Sequence, residues 1–307
     1  MTVNKKKEVD ELAQPLLTIV TGVFRAAIRA SSPLLVGTLG EIYTERSGVL
    51  NLGLEGVMLM GAVSAFVASQ VTGSVWIGIL VAALVGGVIA LLHSFMCVTL
   101  KVNQYVSGLA LTMLCSGLSS LIGLPFIGIR GRSVRRVLFG FDPLVYLFIL
   151  LVPLLWFVLY RTKHGIVIRS VGENPAAADS LGVNVDLVRY ACTVFGGILA
   201  GLSGAYLSVS YIPSWTQNMT SGRGWIVLAL TIFASWNPRN ALLGAWLFGG
   251  IEALQYRLQP LGISPSLLGA LPFVFTILIL GVGSREKIKR LMSAPAALAK
   301  PYRRGER

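Results

Sequence analysis

Long uncharged apolar runs alternate with short polar breaks along this chain. Residues 56–100 hold no Asp, Glu, Lys or Arg, a run of 45 positions, and 102–129, 190–222 and 258–284 are equally free of them. A helix of about 20 apolar residues crosses the hydrocarbon of a bilayer, where no water is present to pair exposed backbone groups. The runs predict spans at 17–40, 48–70, 75–98, 103–123, 142–160, 187–211, 223–236, 239–257 and 264–283, about nine in a range of 8 to 10. The fold class is an all-α polytopic transmembrane bundle, one domain over 1–307, with a polar start at 1–16 and a basic tail at 284–307.

The breaks are as telling as the runs. Residues 161–189 read RTKHGIVIRSVGENPAAADSLGVNVDLVR, and a short helix is punctuated inside them. Asn174 can cap its start, Pro175 suits the first position, 176–181 are mostly helix formers, and Gly182 can close a left-handed end. Glu173 and Asp179 offer charge for register, and Ala176, Ala177 and Ala178 keep the surface slim. A second block, GEIYTERSGVLNLGLEGVMLMG at 40–61, joins two apolar segments through a charged turn at 41–47. Asn51 and Glu55 then stand among glycines at the head of an uncharged run. Such groups are expensive in lipid and face protein, water or substrate. Either Glu55 lines a broken-helix path, or it sits at the membrane boundary and pairs with Arg46.

Other polar residues fall inside spans: Asn103, Gln104, Ser107 and Thr112 on one, Glu252 with Gln255 on another. Helical spacing puts Asn103 with Ser107 on one face and Glu252 with Gln255 on another. Trp215, Trp225 and Trp246 are membrane-interface anchors or walls of a site. Gly197 and Gly201 form one GxxxG, extended by Gly204, which is either a close-packed or a mobile helix seam.

Composition and charge narrow the function. Charged residues are 13% of the chain, against about 25% in soluble domains, and mean hydropathy is +0.74. The net charge of +13 lies in loops and ends, including Arg285, Lys287, Lys289 and Arg290, as orientation by cytoplasmic Lys and Arg requires. It points to a lipid bilayer and to no nucleic acid. The basic tail and the 161–189 loop are expected on the cytoplasmic side. Nine crossings then leave the N-terminus outside, with Lys5–Lys7 and the four arginines of 130–136, against the positive-inside tendency. A surface or re-entrant path for 16–30 is the alternative. No G-x-x-x-x-G-K-[ST] cradle for ATP phosphates occurs, and the two histidines, His93 and His164, make no metal cluster. Cys97, Cys115 and Cys192 form no pair by spacing. No catalytic or metal-ligating set is expected, and no cofactor on this chain.

These blocks carry a resemblance. The 161–189 loop resembles the cytoplasmic coupling loop of bacterial ABC importer permeases of the ribose and simple-sugar/nucleoside group. GEIYTERSGVLNLGLEGVMLMGA looks like the second permease of nucleoside-type importers, and Lys101-Val102-Asn103-Gln104, GENPAAADSLGVNV and LILGVGS fit the wider family. The likeness covers roughly 20–285 and departs at the start, where ribose permeases have one more span. It implies a multi-pass plasma (inner) membrane subunit that moves nucleosides, related purine or ribosyl compounds, or simple sugars by alternating access. It also implies partners: an ABC ATPase that binds ATP and Mg, a second homologous permease in a heterodimer, and an extracytoplasmic substrate-binding lipoprotein. Residues 173–182 would contact the ATPase, with Asn51, Glu55, Asn103, Gln104, Ser107 and Glu252 on the substrate path. The rival reading is an ion-gradient-driven secondary transporter or channel, with Glu55 and Glu252 as its coupling carboxylates.

Overall fold

The computed structural model describes residues 2–259, 262, 264–283 and 294–303; the basic cluster at 285–290 and residues 304–307 lie outside them. The described residues are helical apart from loops and one isolated bridge, Arg130 to Ser214. The helices are α1 (Thr2–Arg46), α2 (Leu54–Thr72), α3 (Val75–Ser94), α4 (Gln104–Gly123), α5 (Pro143–Arg161), α6 (Lys163–Glu173), α7 (Pro175–Ser180), α8 (Val185–Tyr206), α9 (Arg223–Phe233), α10 (Pro238–Leu258), α11 (Pro265–Gly269) and α12 (Leu271–Gly283). The ends of α3 and α8 wind on as π-turns, Phe95–Thr99 and Leu207–Tyr211. Among the described residues, five helices are long and apolar enough to cross a bilayer: Leu54–Thr72, Val75–Thr99, Gln104–Phe126, Pro143–Arg161 and Val185–Tyr211. They fall on five of the expected spans. The expected span at 223–236 holds a helix of 11 residues.

The charged turn expected at 41–47 is instead the last turn and a half of α1, which runs unbroken to Arg46. Its charges find partners without leaving the helix. Glu41 Oε1 accepts the Asn51 N–H at 3.3 Å, and Glu45 Oε2 accepts the Trp236 indole N–H at 2.5 Å. Arg46 donates to the Ser235 and Trp236 carbonyls, so it does not pair with Glu55. The break comes later, at Gly48, whose φ of +93° ends the helix. Residues 49–51 then run without helical structure inside the protein, where Val49 and Asn51 are buried.

Helix α8 is the centre, packed on α1, α2 and α3; α10 lies along α1, and α9 lies between α1, α2 and α12. The small-residue face of α8 makes this approach possible. A methyl on Gly201 would overlap the Ala82 carbonyl of α3, and one on Gly204 would overlap the Met58 carbonyl of α2. The GxxxG face is thus a packed three-helix seam, with backbones in contact. Outward faces are apolar, as lipid requires: Leu80, Leu84 and Val88 on α3 and Leu147, Leu150 and Leu154 on α5 are exposed.

Gly204→Val forces α2 and α8 apart, since overpacking a dense core costs about 1–3 kcal/mol. Thermal unfolding in detergent should show a lowered midpoint for this variant. Gly250→Ala, where an added methyl meets nothing within 4 Å, should unfold like wild type.

Candidate coupling face and intramembrane polar sites

Three helices follow one another on the 161–189 segment, each started by its own cap. Thr162 Oγ1 accepts from the Gly165 N–H at 3.3 Å and starts α6. Asn174 Oδ1 accepts from the Ala177 N–H at 3.0 Å and starts α7. Asn184 Oδ1 accepts from the Leu187 N–H at 3.0 Å and starts α8. Pro175 takes the first position of α7, and Gly182, at φ +86°, ends it. Helix α6 went unread in the sequence because its apolar positions are few, although the Thr162 cap was visible.

The short helix is half sunk. Ala178 is buried against Val171 and Val185, with Tyr302 packed on the cluster. Ala176, Ala177, Glu173 and Asn174 are exposed, and Leu181 is 85% exposed. The alanines therefore do not act alike: Ala178 holds the helix to the protein, while Ala176 and Ala177 face away.

Residues 294–303 are strapped across this end. The Ala297 N–H donates to the Gly172 carbonyl at 2.9 Å, and the Ala299 N–H to the Gly48 carbonyl at 3.2 Å. Tyr302 Oη donates to Asp179 Oδ2 at 3.1 Å. Arg189, the last residue of the loop, is 1% exposed. Its Nε donates to the Ser47 carbonyl at 3.3 Å and its Nη1 to the Lys300 carbonyl at 3.2 Å. One guanidinium thus ties α8 to the end of α1 and to the strap. Glu173, Arg46 and Arg169 with Pro295 line a groove of about 360 Å³ beside it. Sequence alone gave no signal for either the pin or the strap, because both are long-range pairings.

The six candidate path residues do not gather in one place. Asn51, Gln104 and Ser107 gather around the non-helical segment between α1 and α2. Gln104 Oε1 accepts the Leu50 N–H at 2.7 Å, and Asn51 Oδ1 accepts the Gly53 N–H at 2.9 Å. Ser107 Oγ meets His93 Nδ1 at 3.0 Å, while His93 Nε2 lies 3.0 Å from the Leu50 carbonyl. A carbonyl only accepts, so Nε2 carries the proton and Nδ1 accepts from the serine. Asn103 is exposed and caps α4 through the Tyr105 and Val106 N–H groups.

Glu55 stands apart from these. Its Oε1 accepts from Thr220 Oγ1 at 2.5 Å and the Gly222 N–H at 2.8 Å, and its Oε2 from the Gly224 N–H at 2.6 Å. It thereby closes the N-terminus of α9, whose unpaired N–H groups and dipole attract an anion. Glu252 is elsewhere again. Its Oε1 takes an ion pair from Arg223 and the Tyr211 hydroxyl at 3.3 Å. Arg223 was not among the sequence candidates, although an arginine at the head of an apolar stretch was an available signal. Glu252, Gln255, Arg223 and Phe273 line a cavity of about 330 Å³.

Trp215 is 1% exposed and belongs to the core, so the anchor and the wall readings both fail for it. All three cysteines are free and buried. Among the described residues no group of three or more His, Cys, Asp or Glu side chains could hold a metal ion.

Glu55→Gln keeps the shape but turns one acceptor oxygen into a donor facing the Gly222 or Gly224 N–H. Hydrogen bonds to charged groups contribute about 1.5–3 kcal/mol. A clearly lowered melting midpoint of the purified protein is expected, together with reduced uptake. An unchanged midpoint would mean that Glu55 does not hold α9.

Residues 24–280 match the family model described as branched-chain amino acid transport system / permease component. A protein of Haloferax volcanii named as a glucose ABC transporter permease is 36% identical over 94% of this chain and 99% of its own. A nucleoside ABC transporter permease of Lactococcus lactis is 33% identical over 82% of this chain and 89% of its own. A guanosine ABC transporter permease of Bacillus subtilis is 31% identical over 95% and 99%. The solved structure of a metal-chelate type ABC transporter, in an inward-facing conformation, has the same fold, with TM-score 0.53 and 17% identity over 84% of this chain and 85% of that one.

Proposed function

The chain belongs to the branched-chain amino acid transport system / permease component family, and from that premise we propose that helix α7 receives the stroke of a partner ATPase. The protein is an ABC transporter permease subunit, embedded in the cell membrane, and its family implies an ATPase and a binding protein as partners. The names of its relatives support nucleosides, related purine or ribosyl compounds, or simple sugars as cargo. An ion-gradient-driven carrier is the weaker reading. The two carboxylates it would use, Glu55 and Glu252, are occupied by the α9 N-terminus and by Arg223.

The observation that carries the coupling role is the build of α7. It is pre-ordered by Asn174, Pro175 and Gly182, held down by Ala178, and presents Ala176, Ala177 and Leu181 outward. Pre-ordering lowers the cost of docking into a partner groove. Glu173 and Asp179 set its register. Tyr302 tethers Asp179, and Arg189 ties the same end to α1 and α8, so a push on α7 is passed into the bundle.

The chain is a transport subunit without a nucleotide site; ATP and Mg bind the partner. A lipoprotein outside the membrane hands over the cargo. Nine crossing segments, with the short α9 counted among them, leave the 161–189 loop and the tail on the cytoplasmic side. The bonds from Ala297 and Tyr302 to Gly172 and Asp179 support one side for both. The complex contains a second, homologous permease. Two Bacillus subtilis proteins named as guanosine ABC transporter permeases are both similar to this chain, at 31% and 22% identity, which supports a pair of unlike permeases.

Ala177→Arg places a long side chain on the exposed face of α7 and leaves the bundle intact. Co-purification with the ATPase should fall, or ATP hydrolysis should continue with uptake lost. Normal uptake and normal co-purification would show that α7 is a solvated connector. The purified chain alone should hydrolyse no ATP; steady turnover by it would refute the subunit assignment.

A further inference from the structure

The cavity beside Arg223 lies between the 212–222 segment, the second half of α10, and the turn from α11 into α12. Its volume, about 330 Å³, is that of a small-ligand pocket, for which about 300–1,000 Å³ is usual. The charged residues of its lining are Arg223 and Glu252, and these are paired with each other. The remaining lining is of two kinds. Gln217, Asn218, Ser221 and Gln255 bring amides and a hydroxyl; Ile226 and Phe273 bring apolar surface.

Three features select the chemistry of an occupant. First, the site is electrically balanced. A zwitterionic amino acid needs a separate cation and anion to receive it, whereas here those charges already meet each other, and parting them inside the protein is costly. Second, the adjoining helix N-terminus, which would otherwise draw a phosphate, is filled by the Glu55 carboxylate. Third, the wall is aromatic. Phe273 is 40% exposed, and a methyl on Gly222 would come within 2.9 Å of its ring, so backbone at Gly222 supports the ring from one side.

Polar groups are placed for hydroxyls. Both bonds described for Glu252 fall on Oε1, and Gln255, about one helical turn further on, lines the same cavity. Arg223 is fixed by the Met219 and Thr220 carbonyls at 3.4 and 3.1 Å. Its guanidinium lies 5.9 Å from the centre of the Tyr211 ring. A carboxylate and amides in a cavity that also has an aromatic wall suit a ring with adjacent hydroxyls on its edge and a flat or C–H face.

We propose that this cavity is a cargo site on the permease itself, and that it takes an uncharged, hydroxyl-rich ring and rejects anionic and zwitterionic solutes. This rests on the importer reading above and adds to it a place and a selectivity. Free sugars and nucleosides share the chemistry, and the test separates them.

The test measures uptake of radiolabelled glucose and of radiolabelled guanosine by cells carrying the whole transporter. Phe273→Ala should lower uptake of the carried probe about tenfold, a factor that corresponds to about 1.4 kcal/mol, with membrane level and ATPase co-purification as in wild type. Glu252→Gln removes the carboxylate charge paired with Arg223. It should make uptake sensitive to competition by guanosine 5′-monophosphate or glucose 6-phosphate, to which wild type is insensitive. Normal uptake by both variants, or loss of assembly in Phe273→Ala, overturns the proposal, as does uptake of neither probe by wild type. Uptake that persists when the partner ATPase is inactivated refutes the importer reading instead, while the two variants still report on the cavity.

Discussion

Every backbone N–H and C=O in a bilayer needs a partner within the protein, and this structure is built around one place where the helix cannot supply it. Between α1 and α2 the chain runs through the interior without helical bonds. The Leu50 N–H and carbonyl are met by Gln104 and His93, the Leu52 carbonyl by Thr112, and the Asn51 N–H by Glu41. Four side chains from α1, α3 and α4 thus converge on a few residues. Their types were visible in the sequence as unaccountable polarity inside apolar runs. Their purpose is satisfaction of buried backbone, a role that polar groups in membranes fill as often as binding.

The same logic governs α9. A helix of 11 residues that starts within the bundle has unpaired N–H groups at its first turn. Glu55, on the first turn of α2, supplies both oxygens to them. The break between α1 and α2 thus has a second effect: it begins α2 deep enough to bring a carboxylate to the start of α9. Broken helices at mid-membrane commonly leave such dipole ends open for a charged cargo. Here the end is closed by the protein's own acid, and the polar cavity develops one residue further on, around Arg223.

At the other end, the 161–189 segment is held by tertiary ties. Three capped helices define the path of the loop locally, and Arg189 and the strap of 294–303 fix it to the bundle. The buried Arg189 guanidinium joins α8 to the end of α1 and to the strap, and Tyr302 of the strap bonds Asp179 of α7.

Sequence by itself determined what depends on local composition and spacing. The charge-free runs set the membrane class, and Asn174, Pro175 and Gly182 set the short helix α7 nearly to the residue, because caps act over three or four positions. Charge content misled at 41–47, where Glu41, Glu45 and Arg46 read as a turn. Only the fold shows that Asn51, Trp236 and Ser235 are waiting for them, so that the helix can continue. Tertiary structure alone decided that Ala178 is inside while Ala177 is outside, that Arg189 pins three segments, and that Glu252 meets Arg223 rather than a cargo ion. In each case the partner lies far along the chain, and a residue's environment in a bundle is set by whichever helix packs against it, a fact that no local pattern encodes.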